Sequence, residues 1–352
     1  MDQNEIAQAL LDRYVDDADR LVDRGVASPH DIDVAMRLGA GYPAGPFEAR
    51  GAPSSAVPTA RSAESPWRAV TVVGTGHMAS GIADAVARSG SAVTIVGRTA
   101  ASLDRSRAAI DANLDRSVRR GRLAASDAAA ILGRVAFVSG VGSLPADSDV
   151  IIEAVAEDLP VKQDVLAQVD RHARPGAVLA TNTSSYRVAD VMQGVSASRQ
   201  TLALHFFNPA TVMKLVEVVP GPGGEDVLDP AAAWVDTLGK SPVRSADTRG
   251  FIVNRLLIPY LNDAARLHED GVPIEDVDAA MTTVAGLPMG PFALLDLIGL
   301  DVTVAALSSM AEAEPDEERL VPAGILVDLV AEGRLGRKSG TGFYTQEDLR
   351  AR

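Results

Sequence analysis

Two residues of this 352-residue chain could begin general acid–base chemistry. The apolar run Leu202-Ala203-Leu204 delivers His205, followed by Phe206-Phe207 and an Asn208-Pro209 turn. A second apolar run, Leu215 to Val219, delivers Glu217. Imidazole titrates near neutrality, so a histidine can accept or release a proton at physiological pH. A carboxylate beside it would fix its tautomer and stabilise the imidazolium. His205 is therefore read as the proton carrier and Glu217 as its orienting partner. Taken alone, the pair would read more plainly as a core histidine and a surface glutamate; the surroundings favour chemistry.

Those surroundings begin with Val72-Val73-Gly74-Thr75-Gly76-His77-Met78-Ala79, a strand that runs through a glycine loop into a helix. Gly74 permits the tight turn, Gly76 lets backbone approach a pyrophosphate, and Ala79 is small enough to pack helix on strand. The anion would sit on unpaired N–H groups at the helix N-terminus. Gly74, Gly76, His77 and Met78 thus form the expected cofactor loop. The next strand ends Val96-Gly97-Arg98-Thr99. An acid at that point would bind the ribose hydroxyls of NAD, and none is present. Arg98 and Thr99 suit a 2′-phosphate instead, because a guanidinium holds phosphate bidentately. The expected cofactor is NADP(H), with NAD(H) as the alternative and Gly97, Arg98 and Thr99 as the residues that decide.

Short apolar runs at 70–73, 93–96, 135–138, 150–155 and 178–180 alternate with helical segments at 82–89, 101–133 and 161–172. That alternation predicts an α/β fold, a Rossmann-type dinucleotide-binding domain with a parallel sheet, over residues 68–246. After Asp247 the strands stop, and residues 247–352 read as an all-helical domain opened by one long helix over 251–270. Residues 49–67, rich in Gly, Pro and Ser, read as a linker. Residues 1–48 read as helices: Gly25 ends one, and Ser28-Pro29 opens the next as N-cap and first-turn residue.

That N-terminal segment repeats part of the helical domain. Val15-Asp16-Asp17-Ala18-Asp19-Arg20-Leu21, Gly25-Val26, Asp31-Ile32-Asp33-Val34-Ala35-Met36 and Gly41-Tyr42-Pro43-Ala44-Gly45-Pro46-Phe47 form the first copy. The second reads Leu261-Asn262-Asp263-Ala264-Ala265-Arg266-Leu267, Gly271-Val272, Asp276-Val277-Asp278-Ala279-Ala280-Met281 and Gly286-Leu287-Pro288-Met289-Gly290-Pro291-Phe292. The first copy carries one inserted residue.

A net charge of −14 argues against nucleic-acid or anionic-membrane partners, which need a basic footprint. With no cysteine, disulfides, thiolate catalysis and zinc–thiolate sites are excluded, and no metal site is expected. The acidic start, Met1 to Glu5, does not read as a signal peptide, and no apolar run reaches membrane-span length, so a cytoplasmic location is expected.

Residues 68 to about 346 resemble the L-3-hydroxyacyl-CoA dehydrogenase family, which includes the bacterial 3-hydroxybutyryl-CoA dehydrogenases. The resemblance is carried by Glu153-Ala154-Val155-Ala156-Glu157, Thr181-Asn182-Thr183-Ser184-Ser185, His205-Phe206-Phe207-Asn208-Pro209, Lys214-Leu215-Val216-Glu217-Val218 and Gly239-Lys240. It continues through Gly250-Phe251-Ile252-Val253-Asn254-Arg255, Gly290-Pro291-Phe292, Asp296 and the tail Gly336 to Tyr344. It implies that Ser184, His205, Glu217 and Asn254 are catalytic, with Ser184, Asn208, Asn254 and Arg120 at the substrate. It also implies cofactor contacts for Glu157, Lys162 and Asn182. Arg116, Arg119, Arg120 and Arg122 match a region that approaches the CoA nucleotide, and read equally well as a solvated basic helix face.

The resemblance further implies an acyl-thioester substrate, on CoA or an acyl-carrier protein, and a homodimer formed through the helical domain. A dehydrogenase of a free hydroxy acid or of carnitine, or a catalytically silent crystallin-like binding protein, is the alternative. Gly97 departs from the family's usual aspartate. The N-terminal copy has Gln8-Ala9 where Asn254-Arg255 stand and lacks a counterpart of Asp296, so it reads as structural.

Overall fold

The apolar runs form strands and the periodic segments form helices in a computed structural model that describes residues 1–54 and 65–345. In chain order the first helices are α1 (Gln3–Asp23), α2 (Pro29–Gly39) and α3 (Pro46–Ala49). The α/β part follows with β1 (Ala69–Val73), α4 (His77–Arg88), β2 (Ala92–Gly97), α5 (Ala100–Arg119), α6 (Ala125–Leu132) and β3 (Val135–Ser139). It continues with β4 (Val150–Glu153), α7 (Leu159–His172), β5 (Val178–Thr181), α8 (Val188–Val191), β6 (Thr201–Phe206), β7 (Leu215–Pro220), α9 (Leu228–Thr237) and β8 (Ser241–Arg244). The last part is helical: α10 (Val253–Glu269), α11 (Ile274–Thr283), α12 (Pro291–Ile298), α13 (Leu300–Ala313) and α14 (Gly324–Ala331).

The described residues divide between two compact units, with boundaries after Ser55 and after Thr248; the first and last segments together form one of them. In the other, the strands form one eight-stranded sheet in the order β3-β2-β1-β4-β5-β6-β7-β8. All neighbours are parallel except β6 and β7. The order reverses between β1 and β4, the switch point outside whose strand ends doubly wound folds bind ligands. Val72, Ile82, Ile95, Ile152 and Leu204 are fully buried in the core between the sheet and its helices.

In the helical unit the sequence repeat reappears as structure. Asp33 accepts the Phe47 N–H at 2.9 Å, and its counterpart Asp278 accepts the Phe292 N–H at 2.8 Å. In both copies the preceding glycine is required: a Cβ on Gly45 would lie 2.1 Å from Asp33 Oδ1, and one on Gly290 would lie 2.3 Å from Asp278 Cγ. The copies also pack on each other, α1 against α10 and α11, and α2 against α10. Equivalent residues meet: the rings of Tyr14 and Tyr260 lie 6.3 Å apart, and Tyr42 packs edge-on against both. Arg319 pairs with the equivalent carboxylates Asp17 and Asp263.

Of the expected linker, residues 55–64 lie outside the described residues. Its last residue, Trp67, is core: it is 5% exposed, with its ring 5.5 Å from that of Trp234. Among the described residues no single helix is long and apolar enough to cross a membrane.

Candidate active site

His205 and Glu217 face each other across the one antiparallel pair of the sheet. Their positions are in direct register on β6 and β7, so both side chains leave the same face. His205 Nδ1 lies 2.6 Å from Glu217 Oε2. Glu217 is fully buried and His205 nearly so, and the Phe207 ring packs 4.4 Å from the imidazole. A buried carboxylate against Nδ1 selects the tautomer protonated there and leaves the lone pair on Nε2, the arrangement a general base requires. This carries out the pairing expected from the sequence.

Ser184 is held by a network anchored in Glu157. One oxygen of Glu157 accepts the Thr183 hydroxyl at 2.7 Å, the Ser184 N–H at 2.9 Å, the Ser185 N–H at 3.1 Å and the Ser184 hydroxyl at 3.4 Å. Its other oxygen meets the Lys162 ammonium at 3.0 Å. Burial by itself would raise the Glu157 carboxyl; the Lys162 charge and the hydroxyl and amide donors outweigh it and hold the group below its ordinary value. Burial likewise works against the Lys162 charge, but Glu153 and Glu157 hold that ammonium above its ordinary value. Lys162 is 1% exposed and also contacts fully buried Glu153 at 3.0 Å. Lys162, expected at the cofactor, has its ammonium enclosed between two carboxylates and shapes the Ser184 turn through Glu157.

Asn182 begins that same turn. Its side-chain oxygen accepts the Phe206 N–H at 2.9 Å, joining the end of β5 to the residue after His205. Sequence reasoning gave no individual role to Glu153, Thr181 or Thr183. Thr181 donates to Glu153 at 2.7 Å. The available signal was an acid closing the apolar run Val150-Ile151-Ile152, which pointed to a buried charge in need of a cation.

The glycine loop has the shape a dinucleotide requires. A Cβ on Gly74 (φ 135°) would lie 2.4 Å from the Ala154 carbonyl oxygen, so only glycine fits between β1 and β4. At Gly76, the N-cap of α4, a Cβ would meet nothing within 4 Å, and no side chain caps the helix. Open space above uncapped N–H groups is what a pyrophosphate needs. His77 is exposed, whereas Met78 packs against the core, so Met78 offers the loop its backbone rather than its side chain.

At the end of β2 the missing acid has a steric counterpart. A Cβ on Gly97 would lie 2.6 Å from Thr75 Cγ2 and 2.7 Å from Leu103 Cδ2, so an aspartate enters only if those side chains move. Arg98 is exposed. The Thr99 hydroxyl accepts the Ser102 N–H at 3.2 Å and caps α5, a task already assigned to part of its bonding capacity.

A cleft of about 330 Å³ opens between α4, the end of α5 and the turn after β6, with Arg88, Arg116, Arg120 and Arg122 on one side and residues 209–212 on the other. Arg88 is already paired with buried Asp84 at 2.7 Å, so Arg116, Arg120 and Arg122 are the arginines that could meet an anion in the cleft. Arg119 does not line it. Asn208 is exposed on the turn that precedes that wall. Asn254 belongs to the helical unit, where it is the second residue of α10 and half-buried. Asp296 accepts the N–H groups of Phe343 at 2.9 Å and Tyr344 at 2.8 Å, which accounts structurally for the acid and the glycine-rich tail. Among the described residues no cluster of His, Asp and Glu could hold a metal ion.

The sequence profile described as "3-hydroxyacyl-CoA dehydrogenase, NAD binding domain" matches residues 69–248. The profile for the C-terminal domain of the same enzymes matches residues 250–346 and also residues 6–50, the N-terminal copy. The chain is 38% identical over 282 residues to the mitochondrial hydroxyacyl-coenzyme A dehydrogenase of Rattus norvegicus, covering 78% of this chain and 90% of the relative. It is 41% identical over 284 residues to the 3-hydroxybutyryl-CoA dehydrogenase of Mycobacterium tuberculosis, covering 78% and 97%. The crystal structure of (S)-3-hydroxybutyryl-CoA dehydrogenase from Ralstonia eutropha matches with a TM-score of 0.76 at 33% identity, over 79% of this chain and 99% of that one.

Proposed function

Because the chain belongs to the 3-hydroxyacyl-CoA dehydrogenase family, we propose that it interconverts a short 3-hydroxyacyl-CoA and its 3-oxoacyl-CoA with NADP(H) in preference to NAD(H). The observation that carries the reading is the buried His205–Glu217 pair on a sheet whose first loop fits a dinucleotide. The nicotinamide, when bound, accepts or supplies the hydride. His205 takes the hydroxyl proton at Nε2 in the oxidising direction and returns it to the 3-oxygen in the reducing direction. Glu217, locked to Nδ1, compensates the charge that appears on the ring during transfer. Ser184, presented by Glu157, is the polar group of this unit that orients the acyl thioester.

CoA rather than a carrier protein is favoured by the arginine-lined cleft, which suits a phosphate-rich handle. A short acyl chain is favoured by the hydroxybutyryl substrate named for two of the relatives. NADP(H) is favoured by Arg98 and by the lack of an acid at crowded Gly97. The N-terminal helices cover a face of α10 and α11, so a homodimer of this chain uses a different face of the helical unit.

Initial rates of NADPH and NADH oxidation with acetoacetyl-CoA, then with free acetoacetate, test the proposal. Faster turnover with NADPH and the thioester is expected. Activity with the free acid alone overturns the thioester assignment, and faster turnover with NADH overturns the cofactor preference.

A further inference from the structure

The turn that joins β6 to β7, residues 207–214, is both the exit from the His205 strand and one wall of the basic cleft. Within it, the N–H groups of Val212 and Met213 both donate to the Pro209 carbonyl at 2.9 Å. The remaining anchor comes from another element. Lys240, between α9 and β8, is 7% exposed, and its ammonium donates to the Ala210 carbonyl at 2.5 Å and to the Met213 carbonyl at 2.6 Å. No carboxylate pairs with it among the described residues; its charged neighbour is Lys214, whose own ammonium lies 3.4 Å from the Gly239 carbonyl.

A charge buried without a counter-ion is costly, and here the only return is the clamping of two carbonyls of one turn. Burial and Lys214 push the Lys240 amine down to about 8, so it remains charged at neutral pH. The clamped turn also has little room to shift: Ala210 is 2% exposed, and a Cβ on Gly81 of α4 would lie 3.3 Å from the Ala210 Cβ.

We propose that Lys240 is a positioning residue that fixes the 209–213 turn as a wall of the arginine-lined cleft, and so sets affinity for the nucleotide end of the thioester substrate without taking part in proton or hydride transfer. The proposal rests on the reading that this cleft receives the CoA nucleotide. It separates two properties that a merely structural residue would change together. Recognition of the nucleotide depends on the wall; turnover of a thioester that lacks the nucleotide does not.

The test compares acetoacetyl-CoA with the acetoacetyl thioester of N-acetylcysteamine, on the full-length wild type and on Lys240→Met, which keeps the length and removes the donors. Lys240→Met is expected to raise KM for acetoacetyl-CoA by roughly ten-fold, the factor carried by about one lost hydrogen bond. Its kcat, and its kcat/KM for the truncated thioester, should stay within about two-fold of wild type, inside the scatter of near-neutral changes. Lys240→Gln, which keeps a donor that can reach one of the two carbonyls, should produce a smaller rise of the same selective kind and serves if Lys240→Met does not fold. A parallel change with both thioesters, a loss in kcat rather than KM, or no change in a folded variant overturns the role of Lys240. A wild type with equal KM for the two thioesters overturns the cleft reading itself.

Discussion

Replacing Glu217 by glutamine isolates what its charge contributes. The substitution keeps side-chain volume and an acceptor oxygen opposite His205 Nδ1, 2.6 Å away, at a position with no solvent exposure. What is lost is the charge-assisted part of one hydrogen bond. Bonds to charged groups contribute about 1.5–3 kcal/mol and neutral ones about 0.5–1.5 kcal/mol, so the difference is about 1–2 kcal/mol. Expressed in the transition state, where the ring is becoming or ceasing to be an imidazolium, that is a roughly 5- to 30-fold fall in kcat. If the amide turns its NH₂ toward the ring, the wrong tautomer is favoured and the loss is larger. The assay is steady-state reduction of acetoacetyl-CoA with NADPH, accompanied by a fluorescence titration of NADPH. Because Glu217 is buried behind the histidine, cofactor affinity should be unchanged. A folded Glu217→Gln enzyme with kcat within two-fold of wild type would refute the role assigned to the pair.

Other outcomes follow from the same geometry. Arg98→Ala should raise KM for NADPH by roughly ten-fold, through loss of a charged contact to phosphate, while leaving KM for NADH unchanged; equal effects on the two cofactors would count against a 2′-phosphate site. Glu157 is held below its ordinary 4.5, so its contribution to stability is fully present above that value and is lost as pH falls through the folded-state value. Lys162 is held above its ordinary 10.5, so its contribution is present below that and lost as pH rises through its folded-state value. Tm scans on the acid side should therefore fall less steeply for Glu157→Gln than for wild type, and an identical acid limb would argue otherwise. Arg24 and Glu314, paired at 2.6 Å between the N-terminal helices and the end of α13, provide a crosslink in a chain without native cysteines. Arg24→Cys with Glu314→Cys, treated with a short bis-maleimide, should give a product of monomer mass; a product of twice that mass would mean the N-terminal helices dock on a neighbouring chain.

Much of this was legible in the chain because the information is local. The Gly74 and Gly76 loop declares itself through its neighbours, a strand before and a helix after. The repeat declares itself through Asp33 and Asp278, each set fourteen residues before the phenylalanine whose N–H it accepts. The less legible features depend on contacts distant in sequence. That His205 and Glu217 are in direct register requires a turn over 207–214 that closes an antiparallel pair inside an otherwise parallel sheet. Strand β8 carries Pro242 and Arg244 and has no apolar run to announce it. Lys162 sits in a helix of ordinary amphipathic appearance, and only the fold shows that Glu153 and Glu157 enclose it. Lys240 is likewise silent in sequence, because its partners are carbonyl oxygens that every residue possesses.

The central claim is that His205 moves the proton in a hydride transfer on an acyl thioester. The direct measurement is kcat for acetoacetyl-CoA reduction by wild type and by His205→Gln, with NADPH binding measured on the same samples. The account predicts measurable turnover by wild type and a fall of ~10²–10⁴-fold in the variant, the range for loss of general acid–base catalysis, at unchanged NADPH affinity. A wild type without turnover, or a variant that keeps it, would contradict the account.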